Sequence, residues 1–116
     1  MRKIEVEMLQ AVCERRSWRS ANTRVEVISF AHSNPPLDRV NVYLHDNLIA
    51  CVTPKSVTIN DCGWQSPTTK SRLNALLSEL CNAGIYQRNK QWYCQQGEVV
   101  QGPLESWQDY TLLRVA

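Results

Sequence analysis

His45 and Asp46 are the one adjacent imidazole and carboxylate pair in this 116-residue chain. With a nucleophile such as Ser29 or Cys51 beside them they would make a general-base arrangement. They stand, however, between two alternating apolar stretches, where a hairpin tip is expected, and a general base has to be held in a cleft by a third group. No phosphate loop, glycine fingerprint or metal-ligand spacing accompanies them. The chain therefore reads as non-enzymatic, with no cofactor.

Cys13, Cys51, Cys62, Cys81 and Cys94 are odd in number and lie 38, 11, 19 and 13 residues apart, which fits neither a paired disulfide framework nor a zinc knuckle. Five free thiols and no bound metal are expected. A metal site built from them with His32 or His45 is the competing reading. Cys51 and Cys81, in apolar surroundings, are expected as small core side chains.

Two stretches offer binding chemistry instead. Thr68, Thr69 and Lys70 open a helix, and its free N–H groups, two hydroxyls and an ammonium can together hold a phosphate. Arg88, Lys90, Trp92 and Tyr93 on a hairpin mix basic and aromatic groups of the kind that contact single-stranded nucleic acid. The plainer reading has Thr68 and Thr69 capping the helix while Trp92 and Tyr93 point alternately to core and solvent. Four Trp and four Tyr exceed what one small core needs, and aromatic anchors dominate the energetics of protein interfaces.

The totals bound these readings. At this length one domain, residues 1–116, is expected. A hydrophobic fraction of 43% and a charged fraction of 21% are those of an ordinary globular protein. Thirteen basic against eleven acidic residues leave a net charge of +2, too balanced to demand a polyanionic partner. No apolar run of roughly 18 residues exists, and acids interrupt the start where a signal peptide would have its apolar region. No membrane partner and a cytoplasmic location are expected.

The elements that must position these groups are legible from period and punctuation. Ser66 before Pro67 is a helix start, since the hydroxyl accepts from the first turn and Pro suits the first helical position. Leu73, Leu76, Leu77 and Leu80 form one apolar stripe, giving a helix over 67–82, and residues 82–84 supply a left-handed cap. Ile4, Met8, Ala11 and Val12 predict a helix over 1–16, with Arg2, Lys3, Arg15, Arg16 and Arg19 at its ends. Trp18 follows, then a turn-rich break at 20–23. Strands are expected over 24–30, 40–45, 48–52 and 56–59, with Asp46-Asn47 as a two-residue turn. Two prolines make 32–38 a surface loop and a plausible contact loop. A second hairpin, 85–88 and 91–95, turns at Asn89-Lys90. The end of the chain reads either as a short helix around Trp107 or as a strand over 110–115, and Thr, Tyr and Val favour the strand. The expected fold is α+β: a mainly antiparallel sheet of about six strands packed by the central amphipathic helix, with an additional N-terminal helix.

Asn22-Thr23-Arg24-Val25, the hairpin over 42–50, Gly63-Trp64 with the block Thr68-Thr69-Lys70-Ser71-Arg72-Leu73-Asn74-Ala75-Leu76, and Tyr86-Gln87-Arg88 with Trp92-Tyr93 occur here in that order. Together they resemble small accessory proteins of tailed bacteriophages, cyanophage-like and of unknown function. The likeness covers residues 1–95 and makes 96–116 a C-terminal extension; Asp46 stands where glycine is expected. It implies a phage protein acting in the host cytoplasm and transfers no functional residues. Small phage proteins of this kind often bind a host component, so the expected function is binding of a host protein, as inhibitor or modulator, with a defence system as one target. The alternative is a nucleic-acid-binding accessory protein using Thr68, Thr69 and Lys70 with the Arg88 to Tyr93 hairpin.

Overall fold

The computed structural model describes residues 1–30 and 37–116. Two helices and nine strands follow in the order α1 (Lys3–Glu14), β1 (Trp18–Ser20), β2 (Thr23–Phe30), β3 (Leu37–Leu44), β4 (Asn47–Val52), β5 (Ser56–Ile59), α2 (Pro67–Leu80), β6 (Ala83–Arg88), β7 (Gln91–Gln96), β8 (Val99–Gln101) and β9 (Tyr110–Leu113). The fold is α+β and its described strands pair antiparallel. Most of the loop expected over 32–38, with His32, lies outside the described residues, and β3 already begins at Leu37.

The strands form two sheets rather than one. The first runs β1-β2-β3-β4-β5-β9, and the second hairpin makes a separate sheet, β6-β7-β8. A side chain blocks their merging. Asn74 of α2 lies along β6, accepting from the Ile85 N–H (2.6 Å) and donating to its carbonyl (3.0 Å). At this point the edge of β6 is already satisfied and accepts no further strand. The strand expected over 110–115 forms over Tyr110–Leu113 only, and this β9 closes the first sheet against β5 from Ser56↔Leu113 to Ile59↔Tyr110.

Ser66 caps α2 as expected, its Oγ accepting from the Thr69 N–H (3.1 Å). The helix stops two residues short of the expected end. Cys81 leaves the helical region and Asn82, at φ 49°, takes the left-handed position that Asn tolerates. Leu73, Leu76, Leu77 and Leu80 are buried in one core with Met8, Ala11 and Val12 of α1 and with Val40, Val42 and Leu44 of β3. Trp18 packs partly against that core from β1, a strand that was not expected and that takes in Ser20 from the start of the expected break.

The first hairpin turns one residue earlier than its composition suggests. Leu44 pairs with Asn47, so His45 (φ 50°) and Asp46 (φ 62°) are the turn residues. Ile49 has no partner of its own in β3, since Val42 faces Ala50 and Tyr43 faces Leu48. That bulge keeps Leu44 on the buried face while the turn moves toward the N-terminus. Asp46 then occupies the second turn position, which glycine fits best, and this accounts for the glycine expected there.

Candidate functional site

Two buried carboxylates organise the molecule. Glu5, on the first turn of α1, is 2% exposed and faces Arg72 of α2, which is 4% exposed. Arg72 donates from Nη1 to Glu5 Oε2 (2.7 Å) and from Nε to Thr23 Oγ1 (3.0 Å), while Nη2 points to Asn22 Oδ1 (3.5 Å). Ser71 Oγ donates to the same Glu5 oxygen at 2.5 Å, and the Arg2 N–H reaches Oε1 at 3.3 Å. Burial pushes the Glu5 pKa up, but the hydrogen bonds from Ser71, Arg72 and Arg2 and the Arg72 charge outweigh it, and the net shift is downward. The knot extends to the surface. Asn22 accepts from the His45 N–H through its carbonyl (2.8 Å), so the core ion pair fixes the tip of the β3–β4 hairpin.

Asp61 is the second centre, in the loop between β5 and α2. Its Oδ1 accepts from the N–H groups of Gly63 (2.8 Å) and Trp107 (2.9 Å), and its carbonyl accepts from the Trp64 N–H (3.0 Å). Beside it, Asn60 accepts from the Cys62 N–H (2.8 Å) and donates to Asp109 Oδ1 (2.8 Å). Two loops distant in sequence are thereby tied together. Gly63 sits at φ 79°, and a Cβ there would come within 2.3 Å of Trp107 Nε1, so the indole lies directly on the glycine backbone. Trp107 itself holds φ 64°, a conformation a bulky residue rarely adopts. The outcome is an aromatic ledge: Trp64 is 71% exposed and Trp107 is 70% exposed.

A cleft of about 360 Å³ adjoins this ledge, with Trp64, Ser66 and Thr68 on one side and His45 and Asn47 on the other. Of the sequence-predicted residues, Thr68 and Thr69 line the cleft. Thr69 is buried and its hydroxyl is paired with Ser66 Oγ at 2.9 Å, so it supports the cap that Ser66 itself makes and does not cap the helix with its own hydroxyl. Lys70 is half-buried on the first turn. Arg88, Lys90, Trp92 and Tyr93 do not line the cleft. Arg88 and Lys90 are exposed at the β6–β7 turn, Tyr93 stacks on Tyr86 with ring centroids 5.6 Å apart, and Trp92 is only 3% exposed. Trp92 is thus a core residue and not a stacking platform, so the site expected from these seven residues divides into two places.

The catalytic reading of His45 and Asp46 also separates in space. Ser29 pairs with Asp38 and Cys51 with Asn41, both in the body of the first sheet and away from the turn. All five cysteines are free thiols, Cys13 exposed and Cys81 and Cys94 buried. Burial, with a smaller contribution from Cys81, pushes Cys94 up to about 11. Burial, then Asp61 and Asp109, push Cys62 up. Among the described residues no helix is long and apolar enough to cross a membrane.

Asp61, Trp64, Trp107 and the Glu5–Arg72 pair were not legible as site residues. A usable signal did exist for the tryptophans: Trp92 stands in an alternating stretch, whereas Trp64 follows a glycine in a non-periodic segment and Trp107 lies in another.

The family model described as Kyanoviridae Gp96 protein matches residues 1–112. No curated protein and no solved structure matches the chain.

Proposed function

The chain belongs to the Kyanoviridae Gp96 protein family, a family of cyanophage proteins, and from that premise we propose that it is a non-enzymatic binding protein whose target is a host protein in the infected cell. One observation carries this reading: two tryptophans, each about 70% exposed, are held outward around a single buried carboxylate. Scattered surface apolar residues are ordinary, but Trp concentrates binding energy once a partner desolvates it. Here Gly63 seats the Trp107 ring and Asp61 fixes the backbone of Trp64 and Trp107 before any partner arrives, which lowers the ordering cost of association. The protein then acts by occlusion, covering a surface of the host factor, with a component of a defence system as the kind of target that a phage protein meets.

A tagged pull-down from host lysate, with and without nuclease, tests this. A stoichiometric protein that survives nuclease and is lost on Trp64→Ala with Trp107→Ala is the expected result. Recovery of nucleic acid alone would replace the reading with the second one, which the stacked Tyr86–Tyr93 pair beside exposed Arg88 and Lys90 favours.

A further inference from the structure

We infer, building on the binding face proposed above, that the partner offers the Trp64–Trp107 ledge a basic segment, with Arg or Lys side chains laid on the indole faces. Aromatic faces carry negative quadrupole charge and attract cations, Trp most strongly. The two segments that build the ledge, residues 60–65 and 104–110, contain Asp61, Glu105 and Asp109 and not one Lys or Arg. This is a local acidic spot on a chain of net charge +2. Its carboxylates are also fixed by uncharged donors: backbone N–H groups hold Asp61, and the Asn60 amide holds Asp109. Asp109 shares its surroundings with Arg39, both acting on the Cys51 thiol, so the charge presented to a partner rests on Asp61 and the exposed Glu105. The field is felt inside the loop, where Asp61 and Asp109 add to burial in raising the Cys62 thiol. A cation on the ledge meets an indole face and a nearby carboxylate together, whereas a phosphate backbone meets repulsion.

The test uses the full chain and three fluorescent octapeptides, of alternating Gly and Arg, Gly and Glu, and Gly and Leu. The Gly-Arg peptide should bind in preference to the others, weaken about fivefold on Trp107→Ala, and weaken about threefold on Glu105→Gln with Asp109→Asn, with a flatter dependence on salt. Thermal melting of each variant verifies that the fold is intact, which exposed positions favour. No preference for the Gly-Arg peptide, including binding of none of the three, overturns the inference. So does Gly-Arg binding that ignores the carboxylate substitutions. Lysate capture separates the two levels: loss of the captured protein on Trp64→Ala with Trp107→Ala, without a preference for Arg, leaves the ledge as a binding face and discards the basic segment. Capture unaffected by the tryptophan substitutions discards both.

Discussion

Glu5 and Asp61 are the same device used to opposite ends. Each is a buried carboxylate that gathers donors from remote parts of the chain: Glu5 from a helix 67 residues on, Asp61 from a loop 46 residues on. Around Glu5 the donors include a guanidinium and a hydroxyl, and the surroundings close into the core between α1, α2 and the β1–β2 turn. Around Asp61 the carboxylate takes the backbone N–H groups of Gly63 and Trp107, the Trp64 N–H goes to the Asp61 carbonyl, and the surroundings end in two exposed indoles. The side chain of the donor decides the difference. Arg72 spends its side chain on Glu5 and is buried with it, whereas Trp107 gives Asp61 only its backbone N–H and keeps its indole exposed.

The sharpest way to break this comparison is to remove one partner at the closed end. Arg72→Met leaves Glu5 buried without a counter-charge and should cost about 3–5 kcal/mol in urea denaturation. Replacing both members, Glu5→Leu with Arg72→Met, should recover most of that loss, because an apolar pair of similar volume is close to neutral there. A single substitution that costs no more than the double would mean the pair is not coupled.

At the open end the same operation should be milder. Asp61→Ala strips two N–H groups of their acceptor, a loss of about 1–3 kcal/mol, with little effect on the core because the freed loops can turn to water. Trp fluorescence should shift as Trp107 leaves Gly63. An unfolding cost equal to that of Arg72→Met would show that the loop is part of the core after all.

Local chemistry accounts for what could be read in the chain, and distance for what could not. Ser66-Pro67 and Asn89-Lys90 specify a helix start and a turn from adjacent residues alone, and both occur where expected, Asn89 at φ 51° and Lys90 at φ 64°. The first hairpin shifts by one because Ile49 bulges, which depends on burial across the sheet and not on the turn residues. Glu5 and Arg72 look like ordinary surface charges on amphipathic helices until the helices are placed together. The aromatic excess was visible as a count, but which tryptophans stayed outside depended on loops joined only through Asp61.

Acid should distinguish the two centres further. The folded pKa of Glu5 lies below its ordinary value of 4.5, so its contribution is fully present above that value and is lost as pH falls through the depressed one. A stability curve measured from neutral pH downward should therefore fall below about pH 4.5 and flatten in Glu5→Leu with Arg72→Met. An unchanged acid limb in the double variant would assign the fall to other carboxylates.

The smallest expected effect on stability is also the most selective for function. Gly63→Ala puts a Cβ into the space of Trp107 Nε1 and forces a side chain into φ 79°. The backbone cost is about 1 kcal/mol, and the steric conflict adds little because the displaced group is an exposed ring that can swing into solvent. Melting should fall by only about 3–6 °C. Capture of the host protein, if it depends on the ledge, should fall about as far as in Trp107→Ala, since the ring loses the surface that holds it ready. Gly63→Ala that binds like the unaltered chain would mean that the resting position of Trp107 is irrelevant, and that the open centre gains nothing from the order Asp61 imposes on it.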